Sequence, residues 1–154
     1  MKILDNSTKY GALTRLIHWL SFLLFIAVFA IAILKNSNEE YKYLMAYHKQ
    51  IGLVLLGLAV LRLLWTAVNF HRRPASGVLA KLGHLAILAL VLLVPLTAFL
   101  RQVGRENDNK FLVELGNQWH GTLAWTLLVL IVGHVAVAFY HQLRGTKLLQ
   151  RMIG

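Results

Sequence analysis

Histidine is the residue type whose chemistry stands out in this sequence. Of its seven histidines, five (His18, His48, His84, His120 and His134) fall inside or at the ends of long apolar stretches. An imidazole in such surroundings is costly unless it is paired or coordinates something. His120 and His134 are fourteen residues apart. On an α-helix that spacing is a rotation of about 1400°, ~40° short of four turns, so the two share one face roughly 21 Å apart along the axis. Such a pair suits the axial positions of two iron macrocycles, one near each leaflet of a bilayer. The plainer alternative is a pair of interhelical hydrogen bonds. The chain has no cysteine, which removes disulfides, thiolate zinc sites, iron–sulfur clusters and covalent c-type haem attachment.

The elements that carry these histidines are set by composition. The chain has 154 residues, 58% hydrophobic and 14% charged, where a soluble domain carries about 25% charged residues. Crossing a hydrocarbon core takes roughly 20 apolar residues, and four stretches qualify: 11–34, 46–68, 78–100 and 118–141. The connectors between them (35–44, 69–76 with Pro74, and 101–117) are short. The expectation is an all-α membrane protein, an antiparallel four-helix transmembrane bundle forming one domain over 1–154. The first dozen residues are polar and no small-residue cleavage site follows the first apolar run, so no cleaved signal peptide is read there.

An even number of spans puts both termini on one side. That side carries Lys2, Lys9, Arg15, Arg62, Arg72, Arg73, Lys81, Arg144, Lys147 and Arg151 against Asp5 alone, a net +9. The other side carries Lys35, Lys42, Lys49, Arg101, Arg105 and Lys110 against Glu39, Glu40, Glu106, Asp108 and Glu114, a net +1. The positive-inside rule makes the termini cytoplasmic. The formal charge of +10 is then a topology signal and a fit to anionic lipid, not a nucleic-acid footprint.

Depth supplies partners for the histidines. His48 begins the second stretch level with His120 at the start of the fourth; His18 lies about two turns into the first, a level His134 approaches from the other end. A six-coordinate b haem takes two neutral imidazoles, so His48 with His120 and His18 with His134 make one site per leaflet, with His84 competing for the inner one. Arg62, fourteen residues after His48, is the one full charge deep in a span, and no Asp or Glu lies inside any span. A haem propionate is then the expected anion for Arg62, with Arg15 a second candidate; snorkelling to head groups is the alternative. Glycines adjoin the histidines at Gly52, Gly83, Gly121 and Gly133, where a missing side chain lets a flat ring approach or lets helices pack. Pro95 is expected to kink the third span and open room beside a haem. The four tryptophans and five tyrosines fall largely at span ends, as an aromatic belt. The absence of intramembrane acids speaks against a proton pump or cation transporter.

The stretches Tyr10 to Trp19, His48 to Leu53, Leu61 to Trp65, Gly83-His84, Trp119-His120-Gly121 and Gly133-His134 together resemble the bacterial cytochrome b561 family over nearly the whole chain. The resemblance implies a diheme inner-membrane cytochrome with His18, His48, His120 and His134 as iron ligands. It implies electron exchange with the quinone pool, such as ubiquinone, with His84 and His141 beside the quinone, and a periplasmic donor, superoxide in at least one kind of member. The short 101–117 connector departs from relatives that carry a longer loop. The weak outer charge gives little overall steering of an anion. A cytochrome subunit anchoring a partner dehydrogenase to quinone is the second reading, and a haem-free zinc or copper protein the third.

Overall fold

In lipid every backbone N–H and C=O must find its partner within the segment, so apolar stretches of this length become helices. The structure, a computed structural model, describes residues 3–6, 8–69, 71–72, 77–145 and 150–153, without the side chain of Arg151. The expected Pro74 turn and the charges of Lys2, Arg73, Lys147 and Arg151 lie outside the described residues or side chains. All regular structure among the described residues is helical: α1 (Ala12–Ser37), a 3-10 helix (Glu39–Leu44), α2 (Met45–Val68), α3 (Val78–Glu106), α4 (Lys110–Leu143) and α5 (Gln150–Ile153). The first four α-helices are long and apolar enough to cross a membrane, the second counted with the 3-10 helix before it.

The chain divides into two compact units, Met1–Ser76 with Ala138–Gly154, and Gly77–Val137. In the first, α1 and α2 run antiparallel: the start of α2 meets α1 where His48 bonds the carbonyl of Val28, and its end meets the start of α1 where Trp65 bonds Thr14. The α1 face Thr14, Ile17, Ser21 and Val28 is buried, as are Leu55 and Ala59 of α2, each set at helical spacing.

The segment before α1 is strapped across the helix ends. The buried Asp5 carboxylate accepts from the Gly11 N–H at 2.8 Å and the Thr14 hydroxyl at 2.6 Å, so it neutralises donors that the first turn of α1 leaves unbonded. Asn69, at the end of α2 and fully buried, accepts from the Asp5 N–H and donates to the Trp65 carbonyl. Gly11 is required here, because a Cβ would collide with the backbone of Ile3 and Leu4. Gly11→Ala is expected to lift the strap and cost about 1–3 kcal/mol. A lowered midpoint of thermal aggregation in detergent would register it.

In the second unit, α3 and α4 form a helical hairpin. Residues 101–117, expected as a connector, are mostly helix: α3 runs on to Glu106, α4 starts at Lys110, and the turn is only 107–109. Here helix–helix contact, not lipid, sustains the helices past the apolar stretch. Gly104 and Gly116 are buried. A Cβ on Gly104 would meet Leu112 and Val113 at 2.8 Å, and one on Gly116 would meet Thr97 and Arg101 at 2.6 Å. Asn109 closes the turn: its N–H donates to the Gly104 carbonyl and its side chain caps Leu112 N–H. Asp108 takes a positive φ of 50°, which a short polar side chain tolerates. The 35–44 connector is likewise mostly ordered, since α1 continues to Ser37, the 3-10 helix fills 39–44, and Lys35 pairs with Glu39 at 3.2 Å. Helix α3 is assigned continuously through Pro95.

Candidate functional site

His48 sits in the first turn of α2, half-buried, with Nδ1 3.1 Å from the carbonyl oxygen of Val28. A carbonyl only accepts, so the ring donates through Nδ1–H and carries its lone pair on Nε2. His120 on α4 is arranged the same way. Its Nδ1 lies 3.0 Å from the carbonyl of Val94, with the Thr97 hydroxyl, itself donating to that carbonyl, at 3.3 Å. Both histidines are thus held, one in each unit, in the tautomer a metal-ligating imidazole uses, by the Nδ1 hydrogen bond that usually orients such a ligand.

His18, on α1, faces Arg62 of α2: the guanidinium Nη2 is 3.4 Å from His18 Nδ1. A guanidinium only donates, so here Nδ1 accepts and the proton of a neutral ring rests on Nε2, opposite to His48 and His120. Thr66 Oγ1 donates to the Arg62 carbonyl at 2.5 Å. One turn before His18, Thr14 accepts from Trp65 Nε1 at 2.9 Å. Arg15 donates to the Ile153 carbonyl at 2.9 Å, and Trp19, one turn further along α1, to that of Met152 at 3.2 Å. Arg15 therefore grips the C-terminal helix, a contact its place in the sequence did not suggest.

In the second unit the rings of His84 and His134 stand edge-to-face with centroids 4.9 Å apart. His84 Nδ1 bonds the Ala80 carbonyl one turn back at 2.6 Å, which gives His84 the same Nε2 basicity. His141, half-buried near the end of α4, has its ring 5.8 Å from that of Tyr140. The expected pairs His48–His120 and His18–His134 each draw one histidine from each unit.

The glycines within the helices divide into two kinds. Gly104 and Gly116 are packed against neighbouring backbone, whereas Gly52, Gly57, Gly83, Gly121 and Gly133 have no described atom within 4 Å of where a Cβ would stand. Four of these five are the glycines that adjoin histidines. Sequence reasoning did not find the carbonyl partners Val28 and Val94, for which residue type carries no signal. Nor did it find Thr97, whose depth opposite His120 was a usable one. Trp65 and Trp19, read as belt residues, make specific hydrogen bonds. Asp5, read only as the lone acid on the side of the termini, is 4% exposed.

Four long apolar helices carrying half-buried imidazoles fixed through Nδ1 define a multi-span membrane protein. The model of the prokaryotic cytochrome b561 family matches residues 9–154, and the chain belongs to that family. It is therefore a haem-containing, membrane-bound electron carrier, with haem b as its cofactor, and the zinc or copper reading gives way. Among curated relatives, cytochrome b561 homolog 2 of Escherichia coli (strain K12) is 26% identical over 180 aligned positions, covering 100% of this chain and 96% of the relative. That alignment is longer than the chain, so the relative carries insertions this protein lacks. No solved structure matches the chain.

Proposed function

We propose that the protein binds two b haems, one per leaflet, and carries electrons across the cytoplasmic membrane between a periplasmic donor and the quinone pool. His48 with His120 would hold the outer haem, and His18 with His134 the inner one. The observation that carries this reading is the matched Nδ1-to-carbonyl geometry of His48 and His120, which presents Nε2 as the base in both. The glycines beside the histidines, where a methyl group would meet nothing described, add support: they leave the backbone bare where a flat ring needs it.

When bound, haem supplies the one-electron chemistry of its iron; the chain supplies ligands, spacing and charge. His18 would have to carry its proton on Nδ1 to offer Nε2 to iron, and Arg62 would then exchange its contact with His18 for an anion. A haem propionate is that anion, which a guanidinium can bind through two parallel hydrogen bonds. Arg15, engaged with the C-terminal carbonyls, is the weaker candidate for the same task. His84 and His141 serve the quinone. The donor, with superoxide one candidate, meets the outer end.

The test is a dithionite-reduced minus oxidised spectrum of detergent-purified protein, with haem counted per chain and re-oxidation by added ubiquinone followed. Two b haems that ubiquinone re-oxidises are expected. One haem per chain, or haems inert to quinone, would overturn the corresponding half of the proposal.

A further inference from the structure

We infer that Asp5, Thr14, Trp65 and Asn69 form a latch that fixes the register of His18 on α1 against Arg62 on α2 and thereby sets the reduction potential of the haem that His18 would hold. The inference rests on the proposed ligand role of His18. Its geometry lies wholly within the first unit. The Thr14 hydroxyl has a single proton, and both of its partners are fixed in role: the Asp5 carboxylate accepts at 2.6 Å and the Trp65 indole donates at 2.9 Å. The bridge therefore has one arrangement, not several. Asn69 locks it from below, receiving the Asp5 N–H at 3.2 Å and donating to the Trp65 carbonyl at 3.0 Å. Three segments, the N-terminal strap, α1 and α2, meet at these four side chains.

The latch is next to the haem-ligand candidate along both helices. Thr14 is four residues before His18 on α1, and Trp65 three after Arg62 on α2, spacings that put each pair on one helix face. Fixing Thr14 to Trp65 thus fixes the axial register of His18 against Arg62, one turn away. An apolar contact would hold the helices together as well or better, since burying a carboxylate is costly. What a bonded polar bridge adds is a unique register and a fixed charge. Asp5 is 4% exposed, and its carboxylate is bonded to Thr14, one turn before His18 on α1. A fixed negative charge close to a haem favours the ferric state and so lowers its potential.

The experiment is a redox titration, with low-temperature electron paramagnetic resonance, of holoprotein in native membranes, for wild type, Asp5→Asn, Thr14→Val, Thr14→Ser and Trp65→Phe. His18→Ala identifies which haem component depends on His18. Asp5→Asn keeps the shape and removes the charge. It is expected to raise the reduced-to-oxidised ratio of the His18-dependent component about tenfold at fixed ambient potential, about 59 mV for a one-electron couple, leaving the other component in place. Thr14→Val and Trp65→Phe are expected to change the resonance of that same component, and Thr14→Ser to restore it. Full haem content with both components at wild-type potential and resonance in all variants would overturn the latch, as would equal displacement of both components, the mark of general loosening. Retention of both haems in His18→Ala would instead overturn the ligand assignment on which the latch depends.

Discussion

In His134→Ala the haem content should fall from two per chain to one, with the remaining haem ligated by His48 and His120. The expectation follows from the helical spacing that places His120 and His134 on one face of α4. It is sharpened by the 4.9 Å contact between the rings of His84 and His134, because two imidazoles so close approach the same space and compete for the proposed ligand role. His84 is the competitor because the Ala80 carbonyl gives it the same proton arrangement that carbonyls give His48 and His120. On the proposed quinone role of His84, His84→Ala should keep both haems and slow re-oxidation by ubiquinone. Pyridine haemochrome counts on the two purified variants decide the matter. If His84→Ala loses a haem and His134→Ala does not, the two residues exchange roles.

The largest effect on folding is expected from Gly116→Leu. A Cβ there meets the Thr97 carbonyl oxygen and Arg101 at 2.6 Å, and the backbone among these cannot swing aside as a flexible side chain would. Separating α3 from α4 should cost about 3 kcal/mol or more, and with it the bonds from His120 to Val94 and Thr97. Gly121→Leu, one residue from the same histidine, makes the contrast. It meets no described atom within 4 Å at its Cβ, so it should leave the fold intact while impairing the outer haem. Size-exclusion profile and haem content, read on both variants, should separate: Gly116→Leu fails in both, Gly121→Leu in haem alone. A Gly121→Leu protein with full haem would remove the glycine argument for haem approach.

The four spans were legible because lipid leaves an apolar stretch of that length little choice but helix, and the hydropathy pattern located α2 to within one residue of its start. The same pattern ended α3 at 100 and began α4 at 118, since hydropathy follows contact with lipid and is blind to helix sustained by a neighbour. What extends the hairpin is the close approach at Gly104 and Gly116, a property of two segments together. The histidines were found because an ionisable ring in an apolar run is conspicuous; their orientation was not, since Val28 and Val94 act through backbone carbonyls that every residue possesses. Asp5 escaped for a related reason. In one dimension it is a charge near a polar terminus; only when Asn69, from the far end of α2, folds over it does it become an interior group.

The turn between α3 and α4, three residues on two stiff helices, also marks where the chain can be lengthened. An inserted epitope between Asn107 and Asn109 would be carried between two helix ends, displacing the Asn109 cap and its N–H bond to the Gly104 carbonyl. Its reactivity toward an impermeant antibody on intact spheroplasts would report which compartment this end of the molecule faces, and so turn a structural joint into a gauge of sidedness.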